Sequence, residues 1–191
     1  VVLDGIAEIV GEKGLIRGQA DIEPYVIDQR KSYIGATPMV VRPASTEEVS
    51  KVVALCAESD TPIVPQGGNT GLCGGATPSE AGDQLLLSLT RMNQVRAVDS
   101  LNYTLTAEAG VILTDIQKAA DDIDRLFPLS LGAEGTARIG GNIATNAGGT
   151  EVIRYGMTRS LVLGLEVVLA DGTVINAMNK MVKNNSGYDL K

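Results

Sequence analysis

Histidine and tryptophan are absent from these 191 residues, and aromatic side chains make up only 3% of them. Without His, the chain lacks the commonest metal ligand and the side chain whose ordinary pKa suits proton transfer near neutrality. So few aromatics leave little for stacking nucleic-acid bases. The net charge of -7, from 16 basic and 23 acidic residues, has the wrong sign for a groove that tracks phosphates along a nucleic acid. The two cysteines, Cys56 and Cys73, form neither a disulfide framework nor a CxxC pair. No stretch approaches the roughly 18 continuous apolar residues of a membrane-spanning helix. No pair of carboxylates stands out as a general acid and base. The opening Val1-Val2-Leu3-Asp4 has neither an initiator Met nor a basic leader, and the close at Asn185 to Lys191 has no helix stop or tail character. Both ends are expected to be cut from something longer.

Aliphatic residues and glycine are plentiful: 44% of the chain is hydrophobic and 22 residues are Gly. The core must therefore be packed with Val, Ile, Leu and Ala, while the glycines serve turns and close backbone approaches. Leu3, Ile6 and Val10 recur at helical spacing before Gly11. Residues 12–39 read as irregular, with a polar group at Asp28, Arg30 and Tyr33 expected to be structural or solvent-facing. Val40-Val41-Arg42 reads as a short strand closed by Pro43. Ser45 and Glu48 make a capping box for a helix whose buried stripe is Val49, Val52, Val53, Cys56 and Ala57. Thr61 to Val64 and Leu85 to Ser88 read as strands, which completes a small parallel unit.

Farther along, Val95 to Val98 and the alternating Tyr103 to Ala109 read as strands. A helix from about Ile112 carries Ile116, Ala119, Ala120 and Ile123 on one face. Leu163 to Leu169 alternates again, and Asp171-Gly172 marks a hairpin turn into Val174 and Ile175. The fold class is α+β: a small parallel-sheet lobe followed by a larger, mostly antiparallel lobe with helices. The boundary falls between the first glycine-rich loop and Leu105, with lobe one at about 1–90 and lobe two at about 91–191.

Two glycine-rich segments carry the chemistry. The first, Pro65-Gln66-Gly67-Gly68-Asn69-Thr70-Gly71-Leu72, follows a strand directly. Consecutive glycines let backbone N–H groups face one side as an anion-binding nest, and Asn69 and Thr70 add side-chain donors, which suits a pyrophosphate. Neither a GxGxxG fingerprint nor a Walker lysine is present, which disfavours an NAD site and a nucleotide-hydrolysing loop. The competing reading is a surface loop of tight turns. Cys73 reads as a small apolar contact, since no His is available to activate it. In the second segment, Gly140 and Gly141 are expected just before a short helix over 142–146, where Asn142, Thr145 and Asn146 supply uncharged donors for a ring edge or for hydroxyls. A glycine-rich connection over the core is the alternative there. Gly164 is expected to admit a ligand close to its strand. Arg154, Tyr155 and Arg159 read as surface or structural residues, with a negative ligand as the less favoured role.

Taken together, Pro65 to Leu72, Ile139 to Gly149, Arg154-Tyr155-Gly156, Val162 to Gly172 and Asn185 to Leu190 resemble the N-terminal FAD-binding domain of the D-2-hydroxyacid dehydrogenases. Those enzymes stand in the vanillyl-alcohol oxidase / p-cresol methylhydroxylase superfamily, and the similarity covers nearly the whole chain. The resemblance implies a two-lobed domain of the p-cresol methylhydroxylase type, with FAD between the lobes. Gly67, Gly68, Asn69, Thr70 and Gly71 would hold the pyrophosphate, with Pro65, Gln66 and Leu72 at its border. Gly135, Thr136, Gly141, Asn142, Thr145 and Asn146 would line the flavin and ribitol. Gly149, Gly164 and Val167 would lie toward the adenosine end. With no His in this chain, the flavin would be held non-covalently.

The family oxidises a D-2-hydroxy acid such as 2-hydroxyglutarate, lactate or glycolate to the 2-oxo acid, and passes electrons to a carrier protein or quinone. A C-terminal substrate domain, missing from this chain, supplies a divalent metal site and carboxylate-binding arginines. The chain alone is accordingly expected to be inactive, with no catalytic residue of its own. Its expected location is the cytoplasm, with peripheral membrane attachment as the alternative. The rival readings are an FAD-dependent oxidase of an alditol or sugar lactone, a related flavoenzyme reductase, and a cofactor-free structural or interaction module.

Overall fold

The computed structural model describes residues 2–189 and 191; Val1, and Leu190 of the closing motif, lie outside them. Helix α1 (Val2–Val10) buries Ile6 and Val10 and packs on helix α3 (Thr46–Glu58), which buries Val52 and Cys56. Ser45 caps α3 as expected, accepting from Glu48 N at 3.2 Å, and Glu48 Oε2 accepts from Ala44 N at 2.7 Å. Burial pushes the Cys56 thiol pKa up, in keeping with a core cysteine.

Beneath these helices lies a four-stranded sheet in the order β1-β2-β4-β3. Strand β1 (Leu15–Ile16) pairs antiparallel with β2 (Val40–Val41). Strands β2 and β3 (Ile63–Gln66) flank β4 (Leu85–Ser88), and both run parallel to it. β4 is buried on both faces, as a central parallel strand must be. Its odd residues, Leu85 and Leu87, meet the α1/α3 layer, while Leu86 meets the far side.

That far side corrects the reading of residues 12–39 as irregular. Helix α2 (Gln19–Val26) covers it, burying Ile22 and Val26 against Val40 and Leu86. The helix is short, contains Pro24 and has little amphipathic contrast, so its two anchoring residues are too few to show as a period. Its position is fixed by the sheet it covers.

Strands β5 (Val95–Asp99) and β6 (Thr104–Ala107) form one antiparallel ladder, with an irregularity between Val95 and Ala97. Helix α4 (Leu113–Asp121) packs beside it, burying Leu113, Ile116 and Ala120. Short helices α5 (Ile139–Ala144), α6 (Val152–Tyr155) and α7 (Thr158–Leu161) follow. Strands β7 (Leu165–Val168) and β8 (Val174–Ala177) form a second antiparallel ladder, so the antiparallel part of the fold is two hairpins with helices. The Asp171-Gly172 turn is formed, with Gly172 at φ 86°. The same glycine docks the hairpin: a Cβ there would lie 2.7 Å from Ser50 O, and Ser50 Oγ donates to Gly172 O at 2.6 Å.

Asp28 organises the loop after α2. Its Oδ1 accepts from Ser32 N and Tyr33 N at 2.7 and 2.8 Å, and its Oδ2 from Ser32 Oγ at 3.1 Å. The Tyr33 N–H first of all holds its carboxyl below the ordinary range. Such a group stabilises the fold fully above its unfolded pKa of about 4 and loses that contribution as pH falls through the folded value. Asp28→Asn is therefore expected to lower the melting temperature at pH 7. The gap to the parent chain should close as pH falls below about 4. Thermal unfolding at a series of pH values checks this; a gap that stays constant down to about pH 3 contradicts it.

Candidate functional site

Strands β3 and β4 end side by side, with Gln66 opposite Ser88. Ligands of parallel sheets settle beyond such carboxyl ends, and the first glycine-rich loop departs from this point. Two of its polar side chains turn inward. Gln66, 3% exposed, donates from Nε2 to Tyr25 O and Ala76 O, both at 2.8 Å. Asn69 donates from Nδ2 to Ile27 O at 2.7 Å. The expectation that Asn69 offers its side chain to a phosphate is thereby corrected: the carboxamide ties the loop to the end of α2. Asn69 also takes the loop's left-handed turn, at φ 52°, a conformation that asparagine tolerates. Pro65, Gly71 and Leu72 are exposed, and Thr70 is half-buried.

The second segment lies directly against the first. A Cβ on Gly68 would fall 2.1 Å from Thr136 O, and one on Gly67 would fall 3.1 Å from Arg138 Cβ and 3.9 Å from Gly141 N. At these two positions the absent side chain lets two backbones touch, so part of the glycine requirement is packing between the loops. By contrast, a Cβ on Gly71, Gly135 or Gly141 would meet nothing within 4 Å. The bare faces of these residues border open space.

Gly140 and Gly141 belong to the first turn of α5, which starts at Ile139 and not at 142 as the sequence suggests. A Cβ on Gly140 would lie 2.7 Å from Ala109 Cβ, and Gly140 N donates to Ala109 O at 2.8 Å. This contact pulls the helix start forward. Asn142 is 7% exposed, and its Oδ1 is buried with no partner among the described residues. A buried acceptor left unpaired is costly and calls for a donor from elsewhere. Thr145 Oγ1 returns to Gly141 O at 2.9 Å, Thr136 Oγ1 to Ala133 O at 3.3 Å, and Asn146 Oδ1 accepts from Arg159 N at 2.9 Å.

Three expected residues have their contacts elsewhere. Gly149 sits on Ser130 O, 2.1 Å from an added Cβ. Gly164 faces the chain's own backbone, with Asn179 N at 2.5 Å from an added Cβ, in the place where a ligand was expected. Val167 pairs with Ile175 in a ladder that rests on α3. Arg154 is exposed over the Tyr155 ring, 5.2 Å from its centroid.

One residue escaped the sequence reading. Arg138 stands at the junction of the two segments, with Nη1 donating to Gly110 O at 2.7 Å and Nε buried without a partner. The available signal was its isolation, as it is the only charged residue between Glu134 and Glu151. An open cleft of about 530 Å³ lies apart from the glycine loop, lined by Gln117, Phe127, Ser130 and Tyr155. Its charges are mixed, Lys118 and Arg125 against Asp121 and Glu151. Among the described residues no three of His, Cys, Asp and Glu converge as a metal ion needs, and no helix is long and apolar enough to cross a membrane.

An unpaired buried acceptor, bare glycine faces and a cation at one junction fit a ligand with both a polar ring and an anionic linker, as FAD has. Comparison with known proteins agrees. The model of the FAD binding domain family matches residues 37–178. The mitochondrial D-2-hydroxyglutarate dehydrogenase of Bos taurus is 43% identical over 177 residues, covering 93% of this chain and 32% of its own length. Its Danio rerio counterpart, also mitochondrial, is 46% identical over 165 residues, covering 86% of this chain and 31% of its own. This chain thus spans about a third of the length of the curated relatives it matches. The mitochondrial location of these relatives overturns the expectation of a cytoplasmic one.

Among solved structures, alkyldihydroxyacetonephosphate synthase superposes with a TM-score of 0.83 at 19% identity, covering 92% of this chain and 34% of that one. p-Cresol methylhydroxylase superposes with a TM-score of 0.72 at 24% identity, covering 91% and 34%. At these identities the likeness establishes the fold, and it is the two-lobed fold expected.

The two kinds of glycine should respond differently to a methyl group. Gly68→Ala is expected to lower stability by about 1–3 kcal/mol, as overpacking against backbone does, whereas Gly71→Ala, open on that side, should stay within about 0.5 kcal/mol of the parent. Denaturant unfolding of the two variants checks this; equal effects contradict the loop–loop contact.

Proposed function

Because this chain belongs to the FAD binding domain family, we propose that it is the flavin-holding portion of an oxidoreductase that converts a D-2-hydroxy acid to its 2-oxo acid. The observation that carries the cofactor reading is the junction of the two glycine-rich segments, with the orphaned Asn142 Oδ1 beside it. The D-2-hydroxyglutarate dehydrogenases among the relatives support the substrate class, with lactate and glycolate as close variants of it.

In this reading the backbone of Gly67 to Gly71 cradles the diphosphate, with Pro65, Gln66 and Leu72 at its edge. Gln66 and Asn69 contribute by holding the loop in shape, since their carboxamides bond to main-chain carbonyls. Gly135, Thr136, Gly141, Asn142, Thr145 and Asn146 border the flavin and ribitol, where Asn142 Oδ1 takes an N–H or O–H donor. Gly149, Gly164 and Val167 shape the wall toward the adenosine. Lobe one runs to about residue 90 and lobe two from about 91. In this reading the chain holds the cofactor by non-covalent contacts. Once bound, the flavin supplies the acceptor for the hydride leaving the hydroxyl-bearing carbon. The protein's own contribution is position, orientation and shielding from water. A carrier protein or quinone takes the electrons onward, and the divalent metal belongs with substrate binding outside these residues.

Titration of the purified chain with FAD is expected to quench flavin fluorescence saturably at micromolar protein. Asn142→Ala should weaken binding about tenfold, as loss of a buried hydrogen bond does. Absence of saturable quenching with the parent chain contradicts the cofactor reading.

A further inference from the structure

We propose that Arg138 is the counter-charge for the diphosphate of the bound dinucleotide; the inference rests on the flavin reading above. Its side chain crosses the junction where the two glycine-rich segments meet. Its Cβ and Cγ lie 3.1 and 3.4 Å from the position that a Gly67 Cβ would take. Its Nη1 donates to Gly110 O at 2.7 Å, and Gly110 itself is pressed against Leu89 O, just past the end of β4. The guanidinium is thereby fixed at the carboxyl end of the parallel strands, beside the loop that leaves β3.

This cation is uncompensated. Among the described residues no carboxylate forms an ion pair with Arg138, whereas Arg17 and Arg96 pair with Glu12 and Glu108. Its Nε is buried without any partner. Arg42 and Arg91 are, like Arg138, half-buried without an ion pair among the described residues, so what sets Arg138 apart is its place at the junction of the two glycine-rich segments. Taking charge out of water is unfavourable unless an opposite charge meets it. An orphaned Nε alone does not mark a ligand, because Arg42 has one too. Arg42 also follows a parallel strand, but it stands beyond β2, two strands across the sheet from β3 and its glycine loop, where its Nη2 donates to Lys13 O and its backbone carbonyl accepts from Arg91 Nη1. Position separates the two: only Arg138 lies against the glycines. A guanidinium presents a planar fork of donors that matches phosphate oxygens, and backbone N–H groups alone leave the diphosphate's charge unneutralised. The segment's other polar side chains, Asn142, Thr145 and Asn146, carry no charge. They suit the ring and hydroxyls, which leaves the anion to Arg138.

The test compares FAD with riboflavin, which has the same ring and no phosphate, on the parent chain, Arg138→Gln and Arg138→Lys. Arg138→Gln is expected to weaken FAD about tenfold or more, as loss of a charge-assisted bond does, and to leave riboflavin unchanged. Arg138→Lys, which keeps the charge without the fork, should fall between. On the parent chain, FAD and inorganic pyrophosphate should slow phenylglyoxal modification of Arg138, read by peptide mass spectrometry, while riboflavin should not. This second measurement needs no variant to fold. Equal loss of FAD and riboflavin in Arg138→Gln would mean a purely structural role and overturn the proposal. So would unchanged FAD binding, or modification of Arg138 at the same rate with and without pyrophosphate. A parent chain that binds neither flavin would sink the cofactor reading and this proposal together.

Discussion

The close approach of two backbones at Gly68 and Thr136 is the constraint on which the rest of the site depends. A Cβ would stand 2.1 Å from a carbonyl oxygen there, so no other residue type fits without movement. Through this contact the end of the parallel sheet and the start of α5 become one surface. Gly67 adds the neighbouring contact to Arg138, and Gly140 draws α5 onto Ala109. The site is thus built first by packing, and its open glycine faces at Gly71, Gly135 and Gly141 are what remains on the solvent side.

The loop's rigidity comes from below. Asn69 and Gln66 bond to carbonyls at the end of α2, and Asp28 closes the turn that follows that helix. α2 in turn is fixed by Ile22 and Val26 on the far face of the sheet. A chain of contacts therefore runs from the sheet core through α2 to the backbone of the first glycine-rich loop. Preorganisation of this kind lets backbone N–H groups bind an anion without reordering on contact.

Much of this was legible in the sequence where local signals agree. The capping box at Ser45 and Glu48, the triplet of leucines in β4 and the Asp171-Gly172 turn all state their structure within a few residues. What was hidden depends on distant partners. α2 is anchored by only two residues and contains a proline, so it takes its form from the sheet it covers. Whether a glycine meets a ligand or its own chain cannot be read from glycine itself: Gly68, Gly149 and Gly164 turned out to face backbone, and Gly71, Gly135 and Gly141 open space. The inward aim of Asn69 and the placement of Arg138 are likewise products of tertiary contact, and a lone arginine among glycines says only that a charge must be accounted for.

The central claim is that one junction, formed by two glycine-rich segments, holds the diphosphate of FAD. The most direct measurement is a crystal structure of the chain grown with FAD. The account predicts phosphate oxygens within hydrogen-bond reach of the Gly67 to Gly71 backbone, with Asn142 Oδ1 bonded to the flavin portion. Diphosphate density elsewhere, such as in the cleft between Gln117 and Tyr155, with the glycine loop untouched, would contradict it.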